Sequence, residues 1–555
     1  MKVEKIGRVA LAISALLLGA IATSSAIAQD YDLVILNGRV MDPETKLDAI
    51  LNVGIKGGET SVITEKIITG EESIDASGHV VVAGFIDTHF HAIDPLGEKL
   101  ALRDGVTTAM DLELGAINIA EWYAAQEGKR ATNYGTTVSQ MLTRMLVHDA
   151  KDIEAQDQYD FDGPLDALQV SQLMTLVAAD GKPGWSVSRS NPEQLNRINA
   201  IYDEGLRQGA IGFGSTVGYM RTGVTTYEMY LAQKAAAHYG RLTGIHARFY
   251  PSALTPIEHP TGFNEVFTNA MTLGAPLIYQ HNCDYGWWEI EQKLAAARKM
   301  GLNMWSECYP YVGASTAISA EFFLPDVYEA GGNAYGSSPE EGGIYSPAKN
   351  KFYTKEEFLQ ARKDEPGEIV IAYYAIRAPW LVDMLKTPHM TVASDAVPSF
   401  DVTFDTPYEK YVGHPRTTGT RGKAFRLARG NDIPLMHMIA NASYYPALHL
   451  GDAGLASMKV RGRMQEGMVA DITIFDPEKI TDNATYKAGE QGRPTTGIPY
   501  VIVNGTVVVK DSKVQRVYPG QPIRYPVEEK GRFEPITEED FLKQFPKKFL
   551  GANDG

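Results

Sequence analysis

The sequence predicts an α/β protein, a (β/α)8 TIM barrel with a small β-sandwich domain built from both ends of the chain. Between residues 84 and 395, eight short apolar segments are separated by helical patterns, and such alternation is typical of a parallel sheet. The β-rich blocks at 31–82 and 458–525 each contain a tight-turn pair, at Asn37-Gly38 and Asn504-Gly505. We therefore expect the two blocks to form one domain that the barrel interrupts.

Eight strand–helix units favour a closed barrel. An open sheet remains the alternative, because the third segment is weakly marked. A capping box at Thr225–Glu228 opens one of the intervening helices, and residues 287–300 carry apolar side chains at helical spacing. The predicted barrel strands are Gly84–His89, Thr107–Glu113, a segment near 135–146, Gly209–Ser215, Leu242–Arg248, Ala275–Asn282, Leu302–Tyr311 and Met390–Asp395.

The domain boundaries follow from the same patterns. The predicted order is a signal peptide at 1–28, the first part of the β-sandwich at 29–83, the barrel at 84–455, the second part of the sandwich at 456–525 and a tail at 526–555. Within the barrel, residues 317–389 are too many for a plain connection. A long insertion between barrel strands usually lies over the active site and often acts as a lid.

The first 28 residues have the pattern of a secretory signal. A basic start at residues 2–8 precedes the apolar run Val9–Ile21, which is too short to suit a spanning helix, and Ala26-Ile27-Ala28 offers a cleavage site before Gln29. A retained N-terminal anchor is the alternative. No other apolar run reaches the roughly 18 residues of a membrane helix, so we expect a periplasmic or secreted protein without a membrane span.

Composition limits the function classes. The chain has 555 residues and a net charge of −16, which argues against a nucleic-acid partner, because such partners need a basic surface. The two cysteines cannot build a disulfide scaffold. Cys283 and Cys308 lie near the ends of consecutive predicted strands, so one disulfide and two free thiols are the alternatives.

A His-x-His motif ends the first predicted strand. Residues i and i+2 of a strand point to the same side, so His89 and His91 can both face the mouth of a barrel and share one cation. His246, His281 and Asp395 likewise close apolar strands, where (β/α)8 enzymes place their catalytic groups. Imidazoles and a carboxylate from four strands predict a metal site. The alternative for the pair alone is two buried structural histidines.

These motifs resemble the N-acyl-D-amino-acid deacylase (D-aminoacylase) group of the amidohydrolase superfamily. The resemblance covers nearly the whole chain after the signal, from Asp32–Pro43 to Gly497–Gly505. His-x-His marks only the superfamily, whereas Tyr309–Thr316 (YPYVGAST) and Gly413–Arg416 (GHPR) point to the deacylase group.

The resemblance implies a zinc site with one tightly bound ion and a second, weaker position. His246 and His281 match the tight ligands, and His89, His91 and Asp395 match the second position. Asp395 also matches the catalytic acid/base. Tyr309, Ser315 and Arg416 match the groups that hold the substrate and its carboxylate, and Tyr309 is placed to stabilise the oxyanion. The implied partner is a small N-acyl amino acid.

The sequence departs from the group at two positions. The group has a cysteine ligand after strand two, and here Glu113 is the natural replacement, with Asp111 as the alternative. The group also tends to carry a lysine where this chain has Cys283, which leaves the preferred substrate open. The combination with glutamate is similar to D-glutamate deacylases, so N-acyl-D-glutamate is one expected substrate.

Three functions follow from these residues. Zinc-dependent hydrolysis of N-acyl-D-amino acids is the first, and a cyclic amidase or dipeptidase of the same superfamily is the second. Hydantoinase- and dihydroorotase-like enzymes commonly bridge their metals with a carboxylated lysine, and no lysine ends a strand here. The third is a periplasmic zinc-dependent binding protein without turnover. Such a protein does not need a base beside the metal, so Asp395 discriminates against it.

Overall fold

The computed structural model describes residues 30–150, 163–173, 183–248, 258–537 and residue 539. The predicted signal peptide at 1–28 lies outside the described residues. Among the helices in the described ranges, none combines the length and the apolar character that a membrane span requires.

The described residues form 21 strands. They are β1 Tyr31–Asp42, β2 Leu47–Lys56, β3 Glu59–Thr64, β4 Gly70–Asp75, β5 Val80–Ala83, β6 Phe85–Asp87, β7 Val106–Ala116, β8 Asn133–Ser139, β9 Gly212–Ser215, β10 Leu242–Ile245, β11 Leu277–Tyr279, β12 Met304–Cys308, β13 Gly313–Ala317, β14 Gly343–Ser346, β15 Lys351–Phe352, β16 Ile369–Tyr373, β17 Met390–Val392, β18 Ile472–Phe475, β19 Tyr500–Val503, β20 Thr506–Lys510 and β21 Lys513–Val514.

The same part of the chain forms 16 α-helices. They are α1 Pro95–Arg103, α2 Ile119–Gln126, α3 Gln140–His148, α4 Ala167–Leu173, α5 Gly184–Val187, α6 Pro192–Arg207, α7 Thr226–His238, α8 Glu258–Leu273, α9 Trp287–Lys299, α10 Pro325–Ala330, α11 Lys355–Asp364, α12 Leu381–Lys386, α13 Arg416–Gly430, α14 Leu435–Ile439, α15 Tyr445–Asp452 and α16 Ala456–Lys459.

Eight parallel strands form the predicted barrel, in the order β6-β7-β8-β9-β10-β11-β12-β17. Each of the eight predicted segments overlaps one of these strands. The third prediction was wrong in its extent, because β8 ends at Ser139 and α3 follows where the sequence predicted more strand. The Ser139 side chain accepts a hydrogen bond from the Leu142 backbone N–H, and this N-cap starts the helix.

A buried ion pair joins the first and last barrel strands. Arg421 of α13 donates from Nη1 to Asp87 Oδ2 at 2.6 Å and from Nη2 to the Val392 carbonyl at 2.9 Å. Asp87 Oδ1 in turn accepts from the backbone N–H of Ser394, just after β17. The side chains of Arg421 and Asp87 are each 1% exposed. One carboxylate and one guanidinium therefore hold β6 and β17 side by side, where the barrel closes.

The two ends of the chain pair into one nine-stranded sheet. Its order is β21-β20-β19-β18-β5-β1-β2-β3, and β4 pairs with β1. The junction of the two ends is the antiparallel pair of β5 and β18, in which Val82 lies opposite Thr473. Apolar side chains from both ends share one core, including Ile35, Val53 and Ile472.

The insertion between β12 and β17 carries its own small sheet. Strands β13, β16, β14 and β15 pair in that order, all antiparallel. A separate apolar core that includes Phe323, Phe358 and Val370 supports this sheet. Since β13 begins at Gly313, the regular structure of the insertion starts four residues before the predicted boundary at 317.

Both cysteines are buried free thiols, so the disulfide alternative was wrong. Burial raises the pKa of the Cys283 thiol to about 12, despite the nearby charge of Arg377. Cys283 is therefore a neutral side chain at physiological pH.

The ion pair at the closure of the barrel predicts a large stability effect. Arg421→Met leaves the Asp87 carboxylate buried without its cation, which we expect to lower the free energy of unfolding by about 3–5 kcal/mol. The matched control is Arg39→Met, because Arg39 pairs with Asp48 at 2.6 Å in an exposed position, where such pairs contribute about 0–1 kcal/mol. Urea unfolding of both variants measures the difference, and equal losses would contradict the proposed role of Arg421.

Candidate metal centre

The parallel strands place polar side chains at one mouth of the barrel, because their carboxyl ends all face the same way. The side chains that the sequence predicted as metal ligands all line or border this mouth: His89, His91, Glu113, His246, His281 and Asp395. His89 is fully buried, and the carboxylate of Glu113 is 5% exposed.

Glu113 lies at the centre of this cluster. Its Oε2 atom is 3.1 Å from His89 Nε2 and 3.2 Å from His91 Nε2. Its Oε1 atom is 3.0 Å from His246 Nδ1 and 3.3 Å from His281 Nε2. One carboxylate thus contacts two pairs of histidines, one pair with each oxygen. This is the arrangement of a carboxylate that bridges two metal positions.

The distances between the histidine nitrogens fit zinc. His89 Nε2 and His91 Nε2 are 3.0 Å apart, and His246 Nδ1 and His281 Nε2 are 2.9 Å apart. Zinc binds imidazole nitrogen at about 2.0–2.1 Å in tetrahedral geometry, which places neighbouring ligand atoms about 3.3 Å apart. With Glu113, each pair supplies three donor atoms within 4.8 Å of one another. The donor set and the spacing therefore fit two zinc positions.

Asp395 lies beside the first histidine pair. Its Oδ1 atom is 3.5 Å from His89 Nε2 and 3.7 Å from His91 Nε2. Asp395 and His281 both have left-handed backbone conformations, with φ of 50° and 32°. Residues other than glycine rarely adopt this region, and the strain costs about 1–3 kcal/mol. Such strain is typical of functional sites, where neighbouring contacts hold the side chain in one orientation.

A second layer of carboxylates orients the first histidine pair. His91 Nδ1 donates to Asp111 Oδ2 at 2.8 Å, and His89 Nδ1 donates to Glu307 Oε1 at 2.5 Å. Asp111 also accepts three backbone N–H groups of the chain that follows it, including that of Glu113. Asp111 is therefore engaged behind His91, and of the two alternatives Glu113 is the one that reaches both histidine pairs.

Sequence reasoning missed Glu307. The signal was present, because Glu307 is a charged residue inside the buried strand β12. Its second oxygen accepts the hydroxyl of Thr88 at 2.6 Å. Carboxylates in this position fix the tautomer and ring orientation of a metal-binding histidine.

The electrostatics of the cluster favour a cation. Burial lowers the pKa of His89, but the negative charges of Asp395, Glu113 and Glu307 outweigh burial and raise it well above its ordinary value. Burial likewise raises the pKa of Glu113, yet the charge of His89 and hydrogen bonds from the histidines hold it well below its ordinary range. Clustered carboxylates that stabilise positive charge on a buried imidazole will also stabilise a divalent metal.

The substrate side of the mouth is a cavity roofed by the insertion. Besides the metal cluster, its polar wall includes Tyr309, Ser315, Arg377 and Arg416. Its apolar wall is formed by Leu114, Met141, Val170, Phe322, Phe323 and Ile369. Tyr309, Ser315 and Arg416 were the predicted substrate-holding residues, and the structure brings all three to the same cavity.

Arg416 is buried, and one of its nitrogens has no partner. Its Nε donates to the Asp395 carbonyl at 2.6 Å, and its Nη2 lies 2.7 Å from Asp395 Oδ1. Within the described part of the chain, its Nη1 atom is buried without a hydrogen-bond partner. A buried donor without a partner is costly, so this nitrogen is suited to an anionic ligand in the cavity. Ser315 contributes its carbonyl to Arg416 at 3.4 Å, while its hydroxyl donates to the Val370 carbonyl.

His414 of the GHPR segment has a structural role. Its Nδ1 accepts the Arg416 backbone N–H at 2.9 Å, and its Nε2 donates to the Gly313 carbonyl at 3.0 Å. Burial and the neighbouring charge of Arg416 lower its pKa well below the ordinary value, so the ring is neutral. His414 therefore fixes the start of α13 against the insertion.

No family model matches the chain. It is 25% identical over 501 residues to the N-acyl-D-glutamate deacylase of Alcaligenes xylosoxydans xylosoxydans, covering 86% of this chain and 94% of that protein. It is 22% identical over 521 residues to the D-aminoacylase of the same organism, covering 87% and 96%. The resemblance to the N-acyl-D-amino-acid deacylase group is confirmed.

Solved structures show the same fold. The N-acyl-D-glutamate deacylase of Bordetella bronchiseptica, complexed with zinc and a phosphonate inhibitor, superposes with a TM-score of 0.68 at 20% identity, covering 89% of this chain and all of that one. A D-aminoacylase structure superposes with a TM-score of 0.67 at 19% identity and the same coverage. An L-hydantoinase from Arthrobacter aurescens reaches 0.53 at 16% identity, covering 89% and 100%.

The two acidic residues on β7 predict different effects on metal binding. Glu113→Gln removes the carboxylate that reaches both histidine pairs, so we expect loss of zinc and of activity together. Asp111→Asn keeps a hydrogen-bond acceptor behind His91, so zinc should stay bound with about 10- to 100-fold lower affinity. Elemental analysis and titration with a competing chelator measure both effects. Full zinc content in the Glu113 variant would rule out the bridging role.

Proposed function

We propose that this protein is a zinc-dependent amidohydrolase that cleaves the amide bond of N-acyl-D-amino acids, releasing a carboxylate and a D-amino acid. One observation carries the proposal: Glu113 reaches two histidine pairs, and the ion pair of Asp395 and Arg416 lies directly beside them. A metal site, a proton acceptor and a carboxylate-binding cation thus share one cavity. The relatives named for N-acyl-D-glutamate and D-amino-acid deacylation support the same reaction.

The two histidine pairs and Glu113 would hold zinc, which would supply a Lewis acid able to polarise a carbonyl and to lower the pKa of bound water to about 7. Asp395 faces the space beside His89 and His91, so its carboxylate can take a proton from the attacking water. The same carboxyl group can then return the proton to the nitrogen of the leaving amine. One residue thus serves as base and then as acid.

Tyr309 is placed to stabilise the developing oxyanion. Burial raises the pKa of its phenol above the ordinary value, so the hydroxyl stays protonated. The hydroxyl oxygen accepts a hydrogen bond from Arg377 Nη1 at 3.2 Å, which leaves its own proton free to donate to the substrate carbonyl. Arg416 Nη1, which has no protein partner, is suited to the substrate carboxylate.

The two alternative functions fit the cavity less well. A carboxylated lysine is the expected bridge of a hydantoinase-like site, and no lysine is among the described residues that line this cavity. A pure binding protein has no use for Asp395 as a proton acceptor beside the metal. Linear N-acyl amino acids, with a carboxylate for Arg416, agree with all of these side chains.

Export to the periplasm or beyond is a separate proposal, which rests on the basic, apolar and small-residue pattern of residues 1–28. Mass spectrometry of the protein recovered from its native host should show a chain that begins at Gln29. A full-length chain in the cytoplasmic fraction would contradict export.

The proposed reaction predicts chelator-sensitive release of free amino acid. Purified protein loaded with zinc should release acetate and a D-amino acid from N-acetyl-D-amino acids, and should act far less on the L enantiomers. Treatment with a chelator should abolish release, and added zinc should restore it. Undiminished turnover after complete removal of zinc, or activity on cyclic amides alone, would overturn the proposed function.

Asp395→Asn separates catalysis from binding. The amide keeps an oxygen beside the histidines but cannot take a proton, so zinc should remain while kcat falls by about 10²-fold or more. Elemental analysis measures whether zinc is retained, and initial rates measure the fall in kcat. Unchanged kcat would exclude Asp395 as the base.

A further inference from the structure

The insertion contributes a buried cation to the cavity that sequence reasoning did not single out. Arg377 lies in the short 3₁₀ turn Ala375–Trp380, between β16 and α12, and is 2% exposed. It lines the same cavity as Tyr309 and Arg416. A charged side chain that is buried in a cavity wall requires a partner or a ligand, because desolvation of the charge is costly.

Arg377 packs against the chain that follows His281. Its Nε and Nη2 atoms both lie 2.5 Å from Asp284 Oδ1, and its Nη1 donates to the Tyr309 hydroxyl at 3.2 Å. Trp380, from the same turn, donates from its indole nitrogen to the Cys283 carbonyl at 3.1 Å. The two hydrogen bonds of Arg377, from Nε to Asp284 and from Nη1 to Tyr309, use two of the five N–H groups of a guanidinium. The geometry leaves part of the fork for another acceptor.

The Cys283 side chain is uncharged and does not reach the cavity, so it cannot bind an anionic substrate there. Its thiol packs in an apolar cluster with Trp287 and Cys308, and the sulfur lies 3.9 Å from the Tyr309 carbonyl. It is fully buried and is not part of the cavity wall. Residue 283 therefore brings no positive charge to the cavity. Arg377 brings a positive charge to the same place from the insertion.

Two guanidinium groups flank one tyrosine. The Arg416 Cζ atom lies 4.7 Å from the centre of the Tyr309 ring, and the Arg377 Cζ atom lies 5.9 Å from it. Each arginine has a single acidic partner, Asp395 or Asp284. Arginine forks suit carboxylates better than lysine does, because two parallel N–H groups match two oxygens.

We propose that Arg377 is a specificity-determining residue that holds the α-carboxylate of the substrate together with Arg416. This inference rests on the proposed function, since it concerns the same substrate. It gives the insertion a defined part in the site: the roof of the cavity supplies one of the two cations. Both arginines can then contact the carboxylate of an N-acyl amino acid only when Arg377 is paired with Asp284 and Trp380 is hydrogen-bonded to the Cys283 carbonyl.

Two other roles for Arg377 make different predictions. As a tether of the insertion, it would support every substrate equally. If Arg377 instead binds an acidic side chain of the substrate, its loss would lower activity on N-acetyl-D-glutamate but not on N-acetyl-D-leucine. The decisive comparison is therefore between N-acetyl-D-leucine, its neutral carboxamide and N-acetyl-D-glutamate.

Arg377→Met should lower kcat/KM for N-acetyl-D-leucine by about 10- to 100-fold, the value of a hydrogen bond to a charged group. Loss of the Arg377 hydrogen bond to the Tyr309 hydroxyl lowers activity on both substrates, whereas loss of the contact to the carboxylate affects the acid alone, so the ratio of acid to amide falls. Arg377→Lys, which keeps the charge, should recover part of this ratio. Asp284→Asn is the matched control, because it removes the ion pair and keeps the cation, and it should preserve the ratio.

A double variant guards against misfolding. Arg377→Met leaves Asp284 buried without its cation, whereas Arg377→Met with Asp284→Asn removes both charges and should show the same loss of ratio. Equal losses on acid and amide, or a loss confined to N-acetyl-D-glutamate, would overturn the proposal.

Binding gives a reading that does not depend on turnover. Calorimetry on the protein without added zinc should show N-acetyl-D-leucine binding about 10- to 100-fold more weakly to Arg377→Met than to the wild type, with the carboxamide unaffected. Equal binding of the acid to both proteins would overturn the role of Arg377. Absence of turnover by the zinc-loaded wild type on every substrate would instead refute the proposed function, and the binding comparison still decides the role of Arg377.

Discussion

One carboxylate organises the mouth of the barrel. Glu113 places one oxygen against His89 and His91 and the other against His246 and His281, at 3.0–3.3 Å. The histidines follow β6, β10 and β11, and Glu113 lies in β7, so the parallel strands bring these side chains to one mouth of the barrel. The two candidate metal positions share this one carboxylate.

Helix α13 connects the site to the closure of the barrel. Its first residue, Arg416, reaches Asp395, and Arg421, which lies beyond a kink at Gly419, reaches Asp87 in β6. The same helix therefore sets the orientation of the proposed base and joins β6 to β17. Asp395 has a left-handed backbone. Its carbonyl accepts a hydrogen bond from Arg416 Nε, and its carboxylate forms an ion pair with Arg416 Nη2. Contacts of this kind offset the strain of a residue held in an unfavourable conformation.

The sequence predicted the barrel and the ligands because both depend on local patterns. An apolar strand that ends in a polar residue identifies His89, His246 and His281 without knowledge of their neighbours. The end of β8 was mispredicted, because the apolar run that follows it suits either a strand or a helix. The N-cap at Ser139 starts a helix there. Glu307 and Arg377 were missed for another reason. Their partners lie 218 and 93 residues away in the chain, and no spacing rule connects such distant positions.

An acidic protein that binds an anionic substrate needs a local excess of positive charge. The net charge of −16 opposes an approaching carboxylate, but salt screens such repulsion beyond about 8 Å at physiological ionic strength. Among the described residues that line the cavity, the acids are Glu113, Asp284 and Asp395, and the strong bases are Arg377 and Arg416. Each arginine is matched by one aspartate, and only Glu113 remains. A divalent ion on Glu113 would therefore make the charge of this lining positive, which would favour the binding of a carboxylate.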